Sequence, residues 1–319
     1  MAQTTNKLTF WQRLCYGLLF GLLYGVSLLP LRVLYLLSTG CYGLVYHVVG
    51  YRRKLVRKHL ADSFPEKSEE ERRSIERDFY RWFCDYIVET VKLFSISKEE
   101  MRRRLTFKGV DAVERILANG QSVALYLGHY CNWEWVSSIP LWVRGDYAGS
   151  QVYHPLENPV MNQLLLFPRH RMGPDNVAMQ QVLRYIVENK KEGRPVLMGF
   201  IADQVPFWNN IGHWLTFLNH PQTPVLAGTE RLARRFDMAA VYIDIQRTAR
   251  GYYEAEFQLM TDRPNEQPEL ALTEEYFRRL EANIRRQPHL WLWTHNRWKR
   301  TREEYDKMID PKTGKLKMK

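Results

Sequence analysis

A short apolar run that ends in a glycine and a histidine most constrains how this chain can fold. Residues 123–127 read Val-Ala-Leu-Tyr-Leu, and Gly128 and His129 follow. A nearly all-apolar run of this length is typical of a strand buried on both faces, as in a parallel sheet covered by helices. Gly128 allows a sharp turn after the strand. His129 is therefore expected at the carboxyl end of a strand, where open α/β sheets bind their ligands.

A second buried strand is predicted over residues 195–202, and it ends in Asp203 and Gln204. An acid at this place again lies on the ligand edge of a sheet, and we expect Asp203 to shape the site rather than to transfer protons. Helical and strand patterns alternate from Leu105 to residue 300. The predicted fold class is α/β, with a mixed central sheet flanked by helices.

Glu134 stands five residues after His129, a spacing that suggests a catalytic pair. Residues five apart on a helix differ by roughly 140° and do not meet, unless the first lies in the turn before the helix. Asn132 is a suitable cap for such a helix. Glu134 would then accept one imidazole N–H and leave the other nitrogen free as a base. The alternative is an unrelated His and Glu, and for Cys131 we favour a small buried residue over a nucleophile.

The amino-terminal segment is apolar and basic. Residues 1–61 contain eight Lys or Arg and no acid, and residues 14–31 and 33–51 are uncharged runs. The first run is just long enough to cross a hydrocarbon core of about 30 Å, although Pro30 would end or kink a helix. We expect residues 1–51 to be a membrane anchor. A full crossing, a dipping hairpin and an interfacial helix pair remain open, and so does a buried helical hairpin of a soluble protein.

The excess of positive charge limits the partners. The net charge is +11, and five Lys or Arg occur in residues 52–58. Such a cluster is expected on the cytoplasmic side, against anionic headgroups. An acidic carrier protein also fits the charge, whereas nucleic acid is not favoured because no familiar binding motif accompanies it. The four scattered cysteines predict no disulfide framework, and the sequence indicates no metal and no redox cofactor.

Three further segments are predicted. Residues 52–104 form a helical segment on the core, in which Ser68 and Glu71 have the spacing of a capping box. Residues 105–300 form the α/β core, and residues 301–319 form a basic tail.

The His129-to-Glu134 pattern, a His, four residues and an acid, resembles the motif of the glycerolipid acyltransferase superfamily. The Glu version resembles the bacterial lipid A late acyltransferases, the lauroyl and myristoyl transferases. The similarity covers roughly residues 50–300 and includes the Phe-Pro-Glu turn at 64–66 and the aromatic, basic run at 289–300. It implies an acyl thioester on acyl carrier protein as the donor and a hydroxyl of a lipid A precursor as the acceptor.

The resemblance also implies roles for particular residues. His129 and Glu134 would be catalytic. An arginine would serve the site, with Arg171 a closer match than Arg169. Asn132, Asp203 and Gln204 would complete the substrate-binding set.

The resemblance places the protein at the cytoplasmic face of the cell inner membrane. Val205-Pro206 stands where the enterobacterial enzymes have Asp-Tyr-Gly, so the acceptor stays open. A lysophospholipid or aminolipid O-acyltransferase is the alternative enzyme. A non-catalytic module that binds lipid or carrier protein is the alternative from another class.

Overall fold

A twisted sheet between two groups of helices forms the centre of the computed structural model. The structure describes residues 8–310 and Leu316, so part of the predicted tail lies outside the described residues. Within them, the strands are β1 (Leu105–Lys108), β2 (Val123–Leu127), β3 (Ala148–Tyr153), β4 (Asp175–Ala178), β5 (Val196–Ile201), β6 (His213–Phe217), β7 (His220–Val225), β8 (Ala239–Ala249) and β9 (Tyr252–Thr261).

The α-helices both precede the sheet and connect its strands. Their bounds are α1 (Phe10–Ser27), α2 (Leu31–Tyr42), α3 (Arg53–Ser63), α4 (Glu69–Lys92), α5 (Lys98–Arg104), α6 (Val110–Ala118), α7 (Pro159–His170), α8 (Val182–Lys191), α9 (Gly228–Phe236), α10 (Ala271–Arg286) and α11 (Arg302–Met308). A π-helical stretch, Gly43–Val49, continues α2, and a 3-10 helix, Trp135–Leu141, follows β2.

The main sheet has the strand order β1-β9-β8-β2-β5-β3-β4, and β6 and β7 form a separate antiparallel pair. Every neighbouring pair in the main sheet is parallel except β8 and β9. The predicted mixed α/β fold is therefore confirmed. All five residues of β2 are buried, as expected for a strand covered by helices on both faces.

The register between β2 and β5 positions the site. Leu127 lies opposite Ile201. His129 comes two residues after Leu127, and Asp203 comes two residues after Ile201, so the two residues lie at the same level. Both strands point the same way, and the two side chains therefore emerge together at the carboxyl edge of the sheet.

The amino-terminal helices pack beside this edge. Phe20 of α1 contacts Phe167 of α7 edge to face, with 4.9 Å between ring centroids. Leu8 forms a small buried cluster with Val160 and Leu164 of α7. The predicted capping box at the start of α4 is confirmed, since Ser68 and Glu71 exchange backbone and side-chain hydrogen bonds.

The predicted anchor is only partly matched by the described helices. Among residues 8–310 and Leu316, each helix taken singly is too short or too polar to cross a membrane. The pair Phe10–Ser27 and Leu31–Val49 has the required length and composition, but it is bent by 111°.

Candidate active site

The turn after β2 is held from two sides. A Cβ on Gly128 would lie 2.6 Å from Leu280 Cδ1 of α10, so glycine allows this helix to approach the strand end. The His129 carbonyl accepts from Leu292 N at 3.1 Å, and Cys131 N donates to the Leu290 carbonyl at 2.8 Å. The aromatic carboxyl-terminal run therefore fixes the backbone that carries the histidine.

His129 pairs with Asp203. The distance from His129 Nδ1 to Asp203 Oδ1 is 2.7 Å, and His129 N donates to Asp203 Oδ2 at 3.1 Å. Trp291 Nε1 donates to the same Oδ2 at 2.8 Å. Asp203 is 1% exposed, and burial alone raises the pKa of its carboxyl group, but His129 and these hydrogen bonds outweigh burial and hold it at about 2. An ionised carboxylate at Nδ1 leaves Nε2 as the nitrogen that can accept a proton.

The other imidazole nitrogen faces the open side of the site. Gln204 Nε2 lies 3.3 Å from His129 Nε2, a contact that suits an amide donating to a neutral imidazole. The ring of Trp133 contacts His129 edge to face, at 5.1 Å between centroids. A substrate hydroxyl that displaced Gln204 would therefore meet a basic nitrogen of fixed orientation.

Glu134 does not orient His129, contrary to the prediction from spacing. Its carboxylate accepts from Arg169 Nε at 2.6 Å and from Arg169 Nη2 at 2.5 Å, and Tyr86 Oη lies 3.5 Å away. The sequence does not reveal that α7 brings a guanidinium to this carboxylate. Burial raises the pKa of Glu134, but the charge and hydrogen bonds of Arg169 dominate and lower it overall.

Two predicted substrate-binding residues make contacts within the protein. Arg171 donates to the carbonyls of Leu93 and Ile96, whereas Arg169 lines the cavity and binds Glu134. The preference for Arg171 stays a prediction. Asn132 is fully buried, and its Oδ1 accepts from Trp135 N, the first residue of the 3-10 helix, at 3.1 Å. The residue before that helix is Glu134, so Asn132 stabilises its first turn without being its N-cap. Asn132 is not among the residues that line the cavity described below.

Sequence reasoning missed Glu89 of α4. Its buried carboxylate accepts from Asn132 Nδ2 at 2.6 Å, from Tyr35 Oη of α2 at 2.8 Å and from Tyr253 Oη of β9 at 2.8 Å. Burial raises its pKa. This network ties the turn after β2 to α2 and to the sheet. An acid three residues after Tyr86, on the apolar face of α4, was the signal that could have found it.

Cys131 is a buried residue in a strained conformation. It has φ +53°, a value that non-glycine residues seldom adopt, and its Sγ contacts the Ile245 carbonyl at 3.6 Å. Burial raises the pKa of the thiol well above its usual value, so the group stays protonated. This environment agrees with a structural residue and not with a nucleophile.

A cavity of about 660 Å³ opens beside His129. Apolar residues of β2, the 3-10 helix and α7 form part of its wall. They include Leu125, Leu127, Val136, Ile139, Leu165 and Leu166. Its polar side carries Gln204, Arg169 and Glu134, together with His295, Lys299 and Arg300 of the carboxyl-terminal run. Apolar cavities with a few convergent polar groups are the usual form of ligand sites.

A histidine paired with a carboxylate at the mouth of an apolar cavity suits the transfer of an acyl chain, and the class that this fold and site define is an acyltransferase. The sequence model of the family described as "Bacterial lipid A biosynthesis acyltransferase" matches residues 2–300. The chain therefore belongs to this family.

Named relatives agree with the family. The chain is 24% identical over 138 residues to "Lipid A biosynthesis acyltransferase 2" of Shigella flexneri, an alignment that covers 42% of each chain. The aligned part of the chain thus spans less than half the length of that relative. It is 23% identical over 261 residues to "Lipid A biosynthesis acyltransferase" of Haemophilus influenzae, which covers 80% of this chain and 78% of the other.

Proposed function

We propose that this protein moves a fatty acyl chain from an acyl carrier protein thioester to a hydroxyl of a lipid A precursor, with His129 as the general base. The observation that carries the proposal is the position of His129. Its Nδ1 is bound to a buried carboxylate, and its Nε2 faces an apolar cavity.

The chemistry follows from that arrangement. His129 Nε2 takes the hydroxyl proton as the oxygen attacks the thioester carbonyl. The imidazolium that forms is stabilised by Asp203. The new C–O bond forms, the C–S bond breaks, and the proton passes from the imidazolium to the departing thiolate. A thiol with a pKa near 8.5 needs little help to leave.

Arg169 and Glu134 support the reaction as a pair. Arg169 uses Nε and Nη2 for Glu134, and Nη1 has no hydrogen-bond partner in the described part of the chain. This Nη1 would donate to the oxygen that becomes negative in the transition state. Glu134 would hold the guanidinium in place, a positioning role that differs from the direct pairing with His129 predicted from the sequence.

The donor and the membrane are inferred from charge and exposed apolar surface. A net charge of +11 favours docking of an acidic carrier protein. Apolar side chains of α1 that point away from the core, including Phe10, Trp11, Leu18 and Leu22, would enter the bilayer at the cytoplasmic face of the inner membrane. The opposite face of α1 packs on α7, a helix that contributes to the cavity wall.

The basic cluster contributes less to membrane binding than its sequence predicts. Arg53 and Arg57 pair with the buried Glu76, and Lys58 pairs with Asp62. We still expect the full-length protein to sediment with membranes and to need detergent for extraction. Freely soluble full-length protein would contradict the anchor.

The decisive experiment is acyl transfer by purified protein to a lipid A precursor. His129→Ala should lower kcat by about 10²–10⁴-fold, because water is a poor and unpositioned base. His213→Ala is the matched control, since His213 lies on β6 and pairs with Glu274. Near-normal turnover by His129→Ala would exclude the mechanism.

The same assay tests the donor. Transfer from acyl carrier protein should slow as ionic strength rises, because screening weakens the attraction between the two proteins. Transfer from acyl-coenzyme A should be weaker. Equal use of both donors with no response to salt would argue against the carrier protein.

A further inference from the structure

The positive and negative charges that line the cavity do not balance. Among the described residues, its charged Asp, Glu, Lys and Arg side chains are Glu134, Arg169, Lys299 and Arg300. Glu134 and Arg169 neutralise each other through two hydrogen bonds. Lys299 and Arg300 remain, and the described lining of the cavity provides them with no further carboxylate. The lining of the cavity therefore includes two positive charges that no lining carboxylate balances.

The two residues just before these cations are held by hydrogen bonds. Arg297 is fully buried and donates to the Pro224 carbonyl at 2.8 Å, and Trp298 Nε1 donates to Thr223 Oγ1 at 3.0 Å. The chain just before residue 299 therefore has little conformational freedom to lose when a ligand binds, which favours affinity.

The two side chains differ in how they are held. Arg300 donates to the Pro206 carbonyl at 2.9 Å, and its guanidinium lies over the rings of Phe207 and Trp208 at 5.6 and 5.3 Å. Lys299 is exposed and has no hydrogen-bond or ion-pair partner among the described residues. One cation is thus preorganised, and the other is free to reach a ligand.

His295 also lines the cavity. Its Nε2 accepts from Val205 N at 3.2 Å, and burial lowers its pKa to about 4, so it is neutral at physiological pH. The unbalanced positive charge of the lining therefore resides on Lys299 and Arg300. His129 and these cations line one cavity, so a ligand whose reacting group lies at His129 has them as the unbalanced charges within that cavity.

We propose that Lys299 and Arg300 form a phosphate-binding subsite, which receives a phosphate group of one of the two substrates while the reacting atoms lie at His129. The inference rests on the proposed function, because it is the acyl transfer that fixes which end of the substrate meets His129. A phosphate suits the pair because the arginine offers a planar fork of donors and the lysine offers a mobile point charge. The source is either the lipid acceptor or the phosphodiester of the carrier's pantetheine arm.

The first test is binding without turnover, in full-length His129→Ala protein. The probes are a phosphate-bearing lipid A precursor in detergent micelles and the same lipid after phosphatase treatment. If the acceptor supplies the phosphate, an added Lys299→Gln should weaken binding of the phosphorylated lipid by about tenfold, as expected for one exposed charge-assisted contact, and leave binding of the treated lipid unchanged. Lys307→Gln is the matched control for surface charge, because Lys307 lies on α11 and pairs with Glu303 of the same helix.

The second test measures KM in the active enzyme and separates the sources. If the phosphate belongs to the acceptor, Lys299→Gln raises KM for the lipid about tenfold. If it belongs to the donor, KM rises for acyl carrier protein and not for an acyl-pantetheine thioester that lacks phosphate. Arg300→Gln should have the same selectivity. Unchanged binding and unchanged KM for both substrates, or equal losses with and without phosphate, would overturn the subsite. A wild-type enzyme that binds the phosphorylated lipid selectively but transfers no acyl group would overturn the proposed function and leave the subsite intact.

Discussion

Two buried carboxylates follow the two central strands, and they have different partners. Asp203, after β5, holds the imidazole of His129, whereas Glu134, after β2, holds the guanidinium of Arg169. Glu134 is five residues from His129 in sequence, and Asp203 is 74 residues away. The difference teaches that the histidine is oriented by the neighbouring strand of the sheet and not by the nearest acid in its own segment.

The largest expected difference between the two acids is in turnover. Asp203→Asn should lower kcat by about 10²–10³-fold, because an amide can favour the wrong imidazole tautomer and cannot stabilise imidazolium. The measurement is steady-state acyl transfer. Asp203→Asn combined with His129→Ala should be little worse than His129→Ala alone, since the two residues act as one unit. Additive losses would separate Asp203 from the histidine.

Compared with Asp203→Asn, Glu134→Gln should lower turnover less and lower the stability of the fold more. With Arg169 left unpaired in a mostly buried place, we expect a loss of about 1–3 kcal/mol in the free energy of unfolding and roughly a tenfold fall in kcat. Thermal unfolding and transfer assays measure the two effects. Replacing both members, Glu134→Gln with Arg169→Gln, should recover much of the stability but not the activity. A kcat loss as large as that of Asp203→Asn would contradict a supporting role for Glu134.

The stability that Asp203 contributes should depend on pH. The pKa of Asp203 is depressed from its ordinary value of 3.8 to about 2, so its contribution to stability is present above pH 4 and is lost as pH falls towards 2. That contribution is on the order of 2 kcal/mol. Denaturant unfolding between pH 5 and pH 2 should therefore show a weaker pH dependence in Asp203→Asn than in the wild type. Parallel curves would mean that the contact with His129 does not lower the pKa of Asp203.

Cys131→Ala should have the smallest effect. A protonated buried thiol takes no part in acyl transfer, so kcat should stay within about twofold of the wild type. Transfer assays at matched protein levels test this, with thermal unfolding to confirm the fold. An inactive but folded Cys131→Ala enzyme would indicate a covalent thioester intermediate.

The sequence located the two strands that matter because their patterns are local. The run at 123–127 is β2, and the predicted strand over residues 195–202 contains β5 (Val196–Ile201). Apolar runs of this length followed by polar residues predict buried strands whatever their neighbours are. The capping box of α4 was equally readable, because its contacts lie within four residues.

Contacts between side chains of distant segments could not be predicted from local sequence patterns. The choice of Arg169 over Arg171 depends on how α7 lies against the turn after β2. The role of Glu89 depends on α2 and β9 reaching the same buried carboxylate. Neither follows from a periodic pattern, because each requires the relative position of elements that are far apart in the chain.

By itself, the sequence determined the α/β class, the strand–glycine–histidine turn, and the apolar, basic amino-terminal segment, since these follow from local composition and spacing. Only the tertiary structure decided which carboxylate meets His129. The register of β2 against β5 brings Asp203 to the imidazole, while α7 delivers Arg169 to Glu134. The physical reason is that an ionised buried carboxylate needs donors within about 3 Å, and only the packing of distant elements fixes which donors those are.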